Sequence, residues 1–229
     1  MIDLTTWNLT VPTHESATLI DTRRLNNGYD SQYFRRHGDG SVTFWVPVSG
    51  SHTQDARYPR SELRETQSDG KLSYWYHHNS DSYLSAILAV QQVPSRNKVV
   101  IGQIHSKDEA GSDNDPLLKL QYHYRKGTGR IEALLRKRPG DKENQNIVLV
   151  DNIRLNERFG YDFHLTPGGR LSIVVSSVDK DEGRYTRQLS GYWGKQQLYF
   201  KAGAYIQDNY GETNEGGRVT FYWLNSLHR

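Results

Sequence analysis

The feature that most restricts the fold is a beat of short runs, each closed by a turn signal, through the second half of the chain. Leu117 to Tyr124 meets Gly127-Thr128-Gly129 and continues as Arg130 to Lys137, and Pro139-Gly140-Asp141 leads into Gln145 to Val150. Tyr161 to Leu165 turns at Pro167-Gly168-Gly169 into Leu171 to Val175, and Asp179 to Gly183 leads into Arg184 to Leu189. Short apolar-polar alternation bounded by Gly, Pro and Asp is the pattern of antiparallel strands joined by tight turns. The first half adds Trp7 to Val11 (stopped by Pro12), Val42 to Val48, Arg60 to Glu65, Tyr83 to Gln92 and Lys98 to His105. Residues 13–40 read as polar and irregular, and Gly191 to Gln197 as a short helical turn. Roughly a dozen or more strands at this spacing predict an all-β fold, an antiparallel β-sandwich of the jelly-roll type. With no linker or repeat, residues 1–229 read as one domain.

Composition narrows the function. The formal charge is +3, too small to create a general field for polyanions, so a basic cleft has to come from local clustering. Neither nucleic acid nor a membrane is expected as a partner, and a monomer is expected. No apolar run is long enough to cross a bilayer. The absence of cysteine excludes disulfides and thiolate chemistry. Met1 to Trp7 lacks the basic and apolar regions of a signal peptide. The chain as written is therefore expected in the cytoplasm, or in the periplasm or outside the cell if a leader was removed.

Three stretches carry candidate chemistry. In Tyr199-Phe200-Lys201-Ala202-Gly203-Ala204-Tyr205-Ile206-Gln207, period two puts Phe200, Ala202, Ala204 and Ile206 on a core face. Tyr199, Lys201, Gly203, Tyr205 and Gln207 form a polar face, where Gly203 is expected to let a ligand approach the backbone. In Arg60-Ser61-Glu62-Leu63-Arg64-Glu65, the same alternation groups Arg60, Glu62 and Arg64, two guanidiniums around a carboxylate with donors to spare for a second one. Glu62 and Glu65 fall on opposite faces and cannot be the carboxylate pair of a retaining glycosidase. In Gln103-Ile104-His105, Gln103 and His105 share a face, while Ile104 is expected inward with Gly102 and Val100. His77-His78 would point apart on a strand and make a poor metal pair. Asp113-Asn114-Asp115 lacks the remainder of a calcium loop, and Lys126, Arg130, Arg136, Lys137 and Arg138 read as a solvated basic hairpin. Each stretch alone also fits an exposed sheet face, an edge strand or a structural histidine.

Taken together, in this order, the three stretches resemble the alginate lyases of polysaccharide lyase family seven. Trp7-Asn8-Leu9-Thr10-Val11-Pro12 and Asn114-Asp115-Pro116-Leu117-Leu118-Lys119-Leu120 fit the same pattern, so the likeness covers nearly the whole chain. Ile206 departs from it, since the family more often carries asparagine there, and Lys107 to Asp113 is longer than expected. The resemblance implies a jelly-roll with a concave substrate cleft, an anionic polysaccharide (alginate) as partner, and β-elimination usually without a metal; no metal and no cofactor are expected. It implies catalytic roles for Arg60, Gln103, His105 and Tyr205, and substrate contacts from Glu62, Arg64, Lys119, Tyr199, Lys201 and Gln207. The isoleucine at 104 is similar to that of members acting on guluronate-containing blocks. A lyase for another polyuronate such as glucuronan, or a non-catalytic carbohydrate-binding module, would use a similar cleft.

Overall fold

The alternating runs become fifteen strands in the computed structural model, which describes residues 1–54, 56–107, 116–142 and 144–229. One sheet contains β1 (Trp7–Val11), β2 (Thr18–Ile20), β5 (Arg60–Glu65), β7 (Lys98–Ser106), β8 (Leu118–Arg125), β9 (Thr128–Leu135), β10 (Gln145–Ile153) and β14 (Leu198–Tyr205). Their order is β10-β9-β8-β7-β14-β5-β1-β2. The second sheet contains β3 (Phe34–Arg36), β4 (Val42–Pro47), β6 (Ser82–Gln92), β11 (Phe159–Leu165), β12 (Arg170–Ser177), β13 (Lys180–Gln188) and β15 (Gly216–His228), in the order β13-β12-β11-β6-β15-β4-β3. All pairings among them are antiparallel. The architecture is the expected all-β sandwich of jelly-roll type.

The inward faces meet in one continuous core. Leu63, Ile104, Leu118, Leu120, Ile131 and Phe200 come from the eight-stranded sheet, and Phe44, Leu88, Phe163, Ile173 and Phe221 from the seven-stranded one, all without measurable exposure. Each such side chain contributes about 1.5–3 kcal/mol by leaving water. That stacking of sheets leaves each strand's alternate residues on an outer face, where the chemistry has to sit.

The structure departs from the sequence expectation in four places. The stretch 13–40 is not irregular: it contains β2, β3 and a short helix α1 (Thr22–Asn26), whose first turn is capped by Asp21 accepting a hydrogen bond from the Arg24 amide at 2.8 Å. Strands of three residues have too few positions to display alternation. The β8–β9 turn is tighter than the Gly-Thr-Gly signal suggested, because Lys126 and Gly127 both adopt positive φ (51° and 87°) and form a two-residue hairpin loop. His77 and His78 lie in a 3-10 turn, not on a strand.

The fourth departure bears on the site. The register between β7 and β8 shifts between Val100 and Gly102, a bulge that reverses the alternation of β7. Val99 and Ile101 therefore join the core in place of Val100. Tyr161 of β11 reaches across and donates its hydroxyl hydrogen to the Ile101 carbonyl at 3.2 Å. A Cβ on residue 102 would lie 2.6 Å from that hydroxyl, so glycine is required where the bulge meets the opposite sheet.

Candidate active site

β14 runs through the middle of the eight-stranded sheet, between β5 and β7. Register places Tyr199 opposite His105, Lys201 opposite both Gln103 and Arg64, and Tyr205 opposite Arg60. As expected, Phe200, Ala202, Ala204 and Ile206 are fully buried. A cleft of about 710 Å³ opens over the other face. It is lined by nine of the residues expected there: Arg60, Arg64, Gln103, His105, Lys119, Tyr199, Lys201, Tyr205 and Gln207.

Gly203 serves a different purpose from the one expected. Its φ is 145°, and an added Cβ would sit 2.7 Å from the Ser61 carbonyl oxygen and 2.8 Å from the Glu62 Cα. The glycine accommodates the neighbouring strand β5 rather than an approaching ligand, at the point where the register of β14 against β7 shifts between Ala202 and Tyr205.

Glu62 lies under the cleft floor, 1% exposed, rather than on it. Its Oε2 accepts from Lys201 Nζ at 2.7 Å and Arg60 Nη1 at 3.0 Å, and its Oε1 accepts from Gln103 Nε2 at 2.5 Å. Burial works to raise its pKa. The charges of Lys201 and Arg60, with hydrogen bonds from Lys201 and Gln103, outweigh that and hold the carboxyl below its usual range. One buried anion thus anchors three donors from three strands, which leaves it positioning them rather than meeting a polyanion. Lys201 is brought down to about 8, first by burial and then by Arg60, against the pull of Glu62.

His105 projects from β7 beside Tyr199. Its Nδ1 lies 2.9 Å from the Ser106 carbonyl and 3.1 Å from the Tyr199 hydroxyl, and the two rings stack at 5.2 Å. A carbonyl can only accept, so Nδ1 carries the hydrogen and the free lone pair of the neutral ring is on Nε2. Burial, then the positive charge of Lys201, brings the His105 pKa down to about 3 despite the Ser106 hydrogen bond. This imidazole is neutral across ordinary pH. Tyr199 itself is pushed up to about 12, mainly by burial, and holds the histidine while its outer edge meets the cleft.

Tyr205 has Arg60 over its ring at 4.1 Å, and Arg64 covers Tyr199 in the same way at 4.0 Å while donating Nη2 to the Tyr74 hydroxyl at 2.6 Å. Burial raises the Tyr205 pKa more than Arg60 lowers it. The phenol keeps its proton, so the Arg60 guanidinium over the ring does not make it a ready base. Glu65, facing inward from the same strand as Glu62, accepts from Trp75 Nε1 at 2.9 Å and the Phe200 amide at 3.0 Å. The two carboxylates therefore sit on opposite faces.

Thr10, Thr53, Arg57 and Arg136 also line the cleft, and sequence reasoning missed them. Arg136 follows β9 and is held by the carbonyls of Asp141 (from Nε, 2.7 Å) and Pro116 (from Nη1, 3.0 Å). Its alternation with Glu132 and Leu134 was the available signal, but a basic hairpin is usually solvated. Asp113-Asn114-Asp115, and the insert-like stretch from Lys107 to Asp113 except Lys107 itself, fall at 108–115, outside the described residues.

The family model described as alginate lyase matches residues 2–228. A curated alginate lyase of Klebsiella pneumoniae is 28% identical over 99% of this chain and 89% of its own length. Among solved structures, an alginate lyase of Pseudomonas aeruginosa superposes with a TM-score of 0.94 at 43% identity, covering 99% of this chain and 100% of that one. Alginate lyase A1-II', a member of polysaccharide lyase family 7, superposes with a TM-score of 0.85 at 27% identity, over 99% and 96% of the two chains. Variants of that enzyme have been solved with a product written GGG and a substrate written GGMG. With a sandwich, a cationic cleft and a family match from residue 2 to residue 228, this chain belongs to the alginate lyase family and is a polysaccharide lyase acting on alginate.

Proposed function

We propose that the cleft cleaves alginate by β-elimination at the 4-O-glycosidic bond, leaves a 4,5-unsaturated uronate at the new non-reducing end, and favours guluronate-containing blocks. The observation that carries this reading is the pairing of a histidine held neutral with a tyrosine held protonated in one cationic cleft. The C5 proton becomes removable when the adjoining carboxylate is neutralised. Arg60, whose remaining donors are free of Glu62, and the second amide hydrogen of Gln103 supply that neutralisation, with Lys201 adding charge. Donors of this kind are each worth ~10²–10³ in rate. His105 Nε2 takes the C5 proton, the electron pair forms the C4=C5 bond, and the C4–O4 bond breaks. O4 leaves with the proton of the Tyr205 hydroxyl.

In guluronate the C5 proton and O4 lie on opposite sides of the ring, which suits two separate groups. In mannuronate they lie on the same side, where Tyr205 would have to serve as base first, and its raised pKa opposes that. The ligands of the family relative, GGG and GGMG, support G-containing chains as what this cleft type takes. Ile104 is fully buried, so its correlation with guluronate has no contact mechanism.

The test is kcat/KM on purified guluronate and mannuronate blocks, followed by absorbance near ~235 nm, where only the conjugated elimination product absorbs. His105→Ala should lose ~10²–10⁴ on guluronate blocks. His105→Asn should recover more of any mannuronate activity than of guluronate activity. A block ratio that stays constant across parent and both variants removes His105 from the base role. Cleavage with no absorbance change removes elimination altogether.

A further inference from the structure

On the outer face of the seven-stranded sheet, away from the cleft, a second concavity of about 490 Å³ is lined by Gln32, Arg35, His37, Thr43, Trp45, Gln91 and Arg218. We propose that it is a second, non-catalytic binding site for a uronate unit of the same polymer, formed by Trp45, Arg218 and a pre-ordered polar floor.

The floor is a directed chain of hydrogen bonds. Thr220 Oγ1 donates to Gln91 Oε1 at 3.0 Å, so its lone pair receives the Thr43 hydroxyl hydrogen at 2.7 Å. Thr43 in turn accepts from His37 Nε2 at 2.7 Å. Thr43 and Thr220 are 9% and 4% exposed. A chain with all its hydrogens committed leaves two defined ends at the concavity: the Gln91 amide hydrogens as donors, and His37 Nδ1 as an acceptor. Those are complementary to sugar hydroxyls, which both donate and accept.

Above the floor, register places Arg218 opposite Trp45, and its guanidinium lies over the indole at 4.5 Å. Stacking fixes the arginine's orientation before any ligand arrives, so less side-chain entropy is lost on binding. No carboxylate pairs with Arg218 among the described residues, and no Asp or Glu lines the concavity. Arg35, on the rim, reaches Asp30 at 3.7 Å in an exposed pair that is weakly held. A planar cation with open N–H edges beside an aromatic ring and neutral donors suits a pyranose bearing a carboxylate. The volume is within the range of small-ligand sites.

The ligand class rests on the alginate reading of the cleft. Two sites on opposite faces of one enzyme would hold it on a polymer by raising the effective concentration for the second contact. The gain would vanish for oligosaccharides too short to matter to both.

The experiment follows the Trp45 indole N–H resonance, assigned by its loss in Trp45→Phe. The titrant is the end-product oligosaccharide mixture of exhaustive alginate digestion, which the enzyme no longer cleaves. The parent and Arg60→Ala should show the same saturable shift, and Arg218→Gln should show none, with its thermal midpoint unchanged to exclude misfolding. If Arg218→Gln is unfolded, Gln91→Leu replaces it. Arg218→Gln should also raise KM on polymeric alginate threefold or more and leave kcat/KM on short oligosaccharides unchanged. An unmoved parent resonance, an equal shift with sodium sulfate at matched ionic strength, or a shift that persists in Arg218→Gln overturns the proposal. The short-oligosaccharide rate reports the cleft separately, so a failure of the second site is distinguishable from a failure of the catalytic reading.

Discussion

Glu62 and Glu65 stand three residues apart on β5, both nearly inaccessible to water, and they do different work. Glu65 faces the core and is satisfied by Trp75, the Phe200 amide and His228, at 2.5 Å from the last. It ties β5 to β14, to the segment before β6, and to the end of β15. Glu62 faces the cleft floor and is satisfied by Lys201, Arg60 and Gln103. The first carboxylate joins parts of the fold, and the second collects charge at the site. Burial is shared, so the identity of the partners separates an acid that ties the fold together from one that gathers the donors of the cleft.

Glu62→Gln should have the largest effect. Three donors lose their common anchor, and turnover should fall by ~10². Lys201, no longer facing an anion, should titrate at lower pH, so the alkaline limb of the rate profile should shift in the acid direction. A variant with parental rate and an unshifted limb would reduce Glu62 to a packing residue. Glu65→Gln should do the reverse. Loss of a buried charge-assisted network should cost about 2 kcal/mol, a drop of roughly 4–8 °C in Tm for a chain of this size. Specific activity at 25 °C should stay within about twofold, and a large loss there by a fully folded sample would erase the division between the two acids.

The third effect is in pH. Lys201 titrates at about 8 in the folded protein against 10.5 for a free lysine. Above pH 8 it loses its charge; on the proposed mechanism that charge serves the substrate carboxylate, so KM should rise roughly tenfold toward pH 10. Stability should move the other way. Between pH 8 and 10.5 the unfolded chain binds the proton that the folded one has released, so the contribution of Lys201 to stability grows with pH. Lys201→Met should remove both trends, and a KM slope that survives the substitution would locate the titrating group elsewhere. Because His105 lies at about 3 in the free protein, kcat/KM should show no histidine limb between pH 5 and 7. The smallest effect is Tyr199→Phe. The Ser106 carbonyl still holds His105 Nδ1–H and the ring stack remains, so kcat should fall only about threefold; a hundredfold loss would put the Tyr199 hydroxyl in the chemistry.

Much of this was readable from residue order. Period two in β5 and β14 separated Leu63, Phe200 and Ala202 from Arg60, Arg64, Lys201 and Tyr205, and the resemblance brought the two faces into one cleft. Three things resisted. The bulge at Ile101 and Gly102 depends on Tyr161 of the opposite sheet, which no local pattern encodes. The depth of Glu62 and the reason for Gly203 are properties of strand β5 pressed against β14, visible only once the two are paired. Arg136 reaches the cleft because carbonyls from two turns hold it, and its local sequence is that of any basic hairpin.

The place of β14 in the eight-stranded sheet has a consequence for how the molecule is made. β5 and β7 are joined side to side only through a strand that begins at Leu198. At typical synthesis rates, the stretch from Ser106 to Leu198 takes about 5–20 s to emerge. During that interval the nascent chain carries two unpaired strand edges, each a template for pairing with another chain. Closing the sheet is a long-range event of the kind that slows β-sandwich folding. The cleft is therefore assembled late, by insertion of the strand bearing Lys201 and Tyr205, and a truncated chain that ends before it has neither a closed sheet nor a catalytic surface.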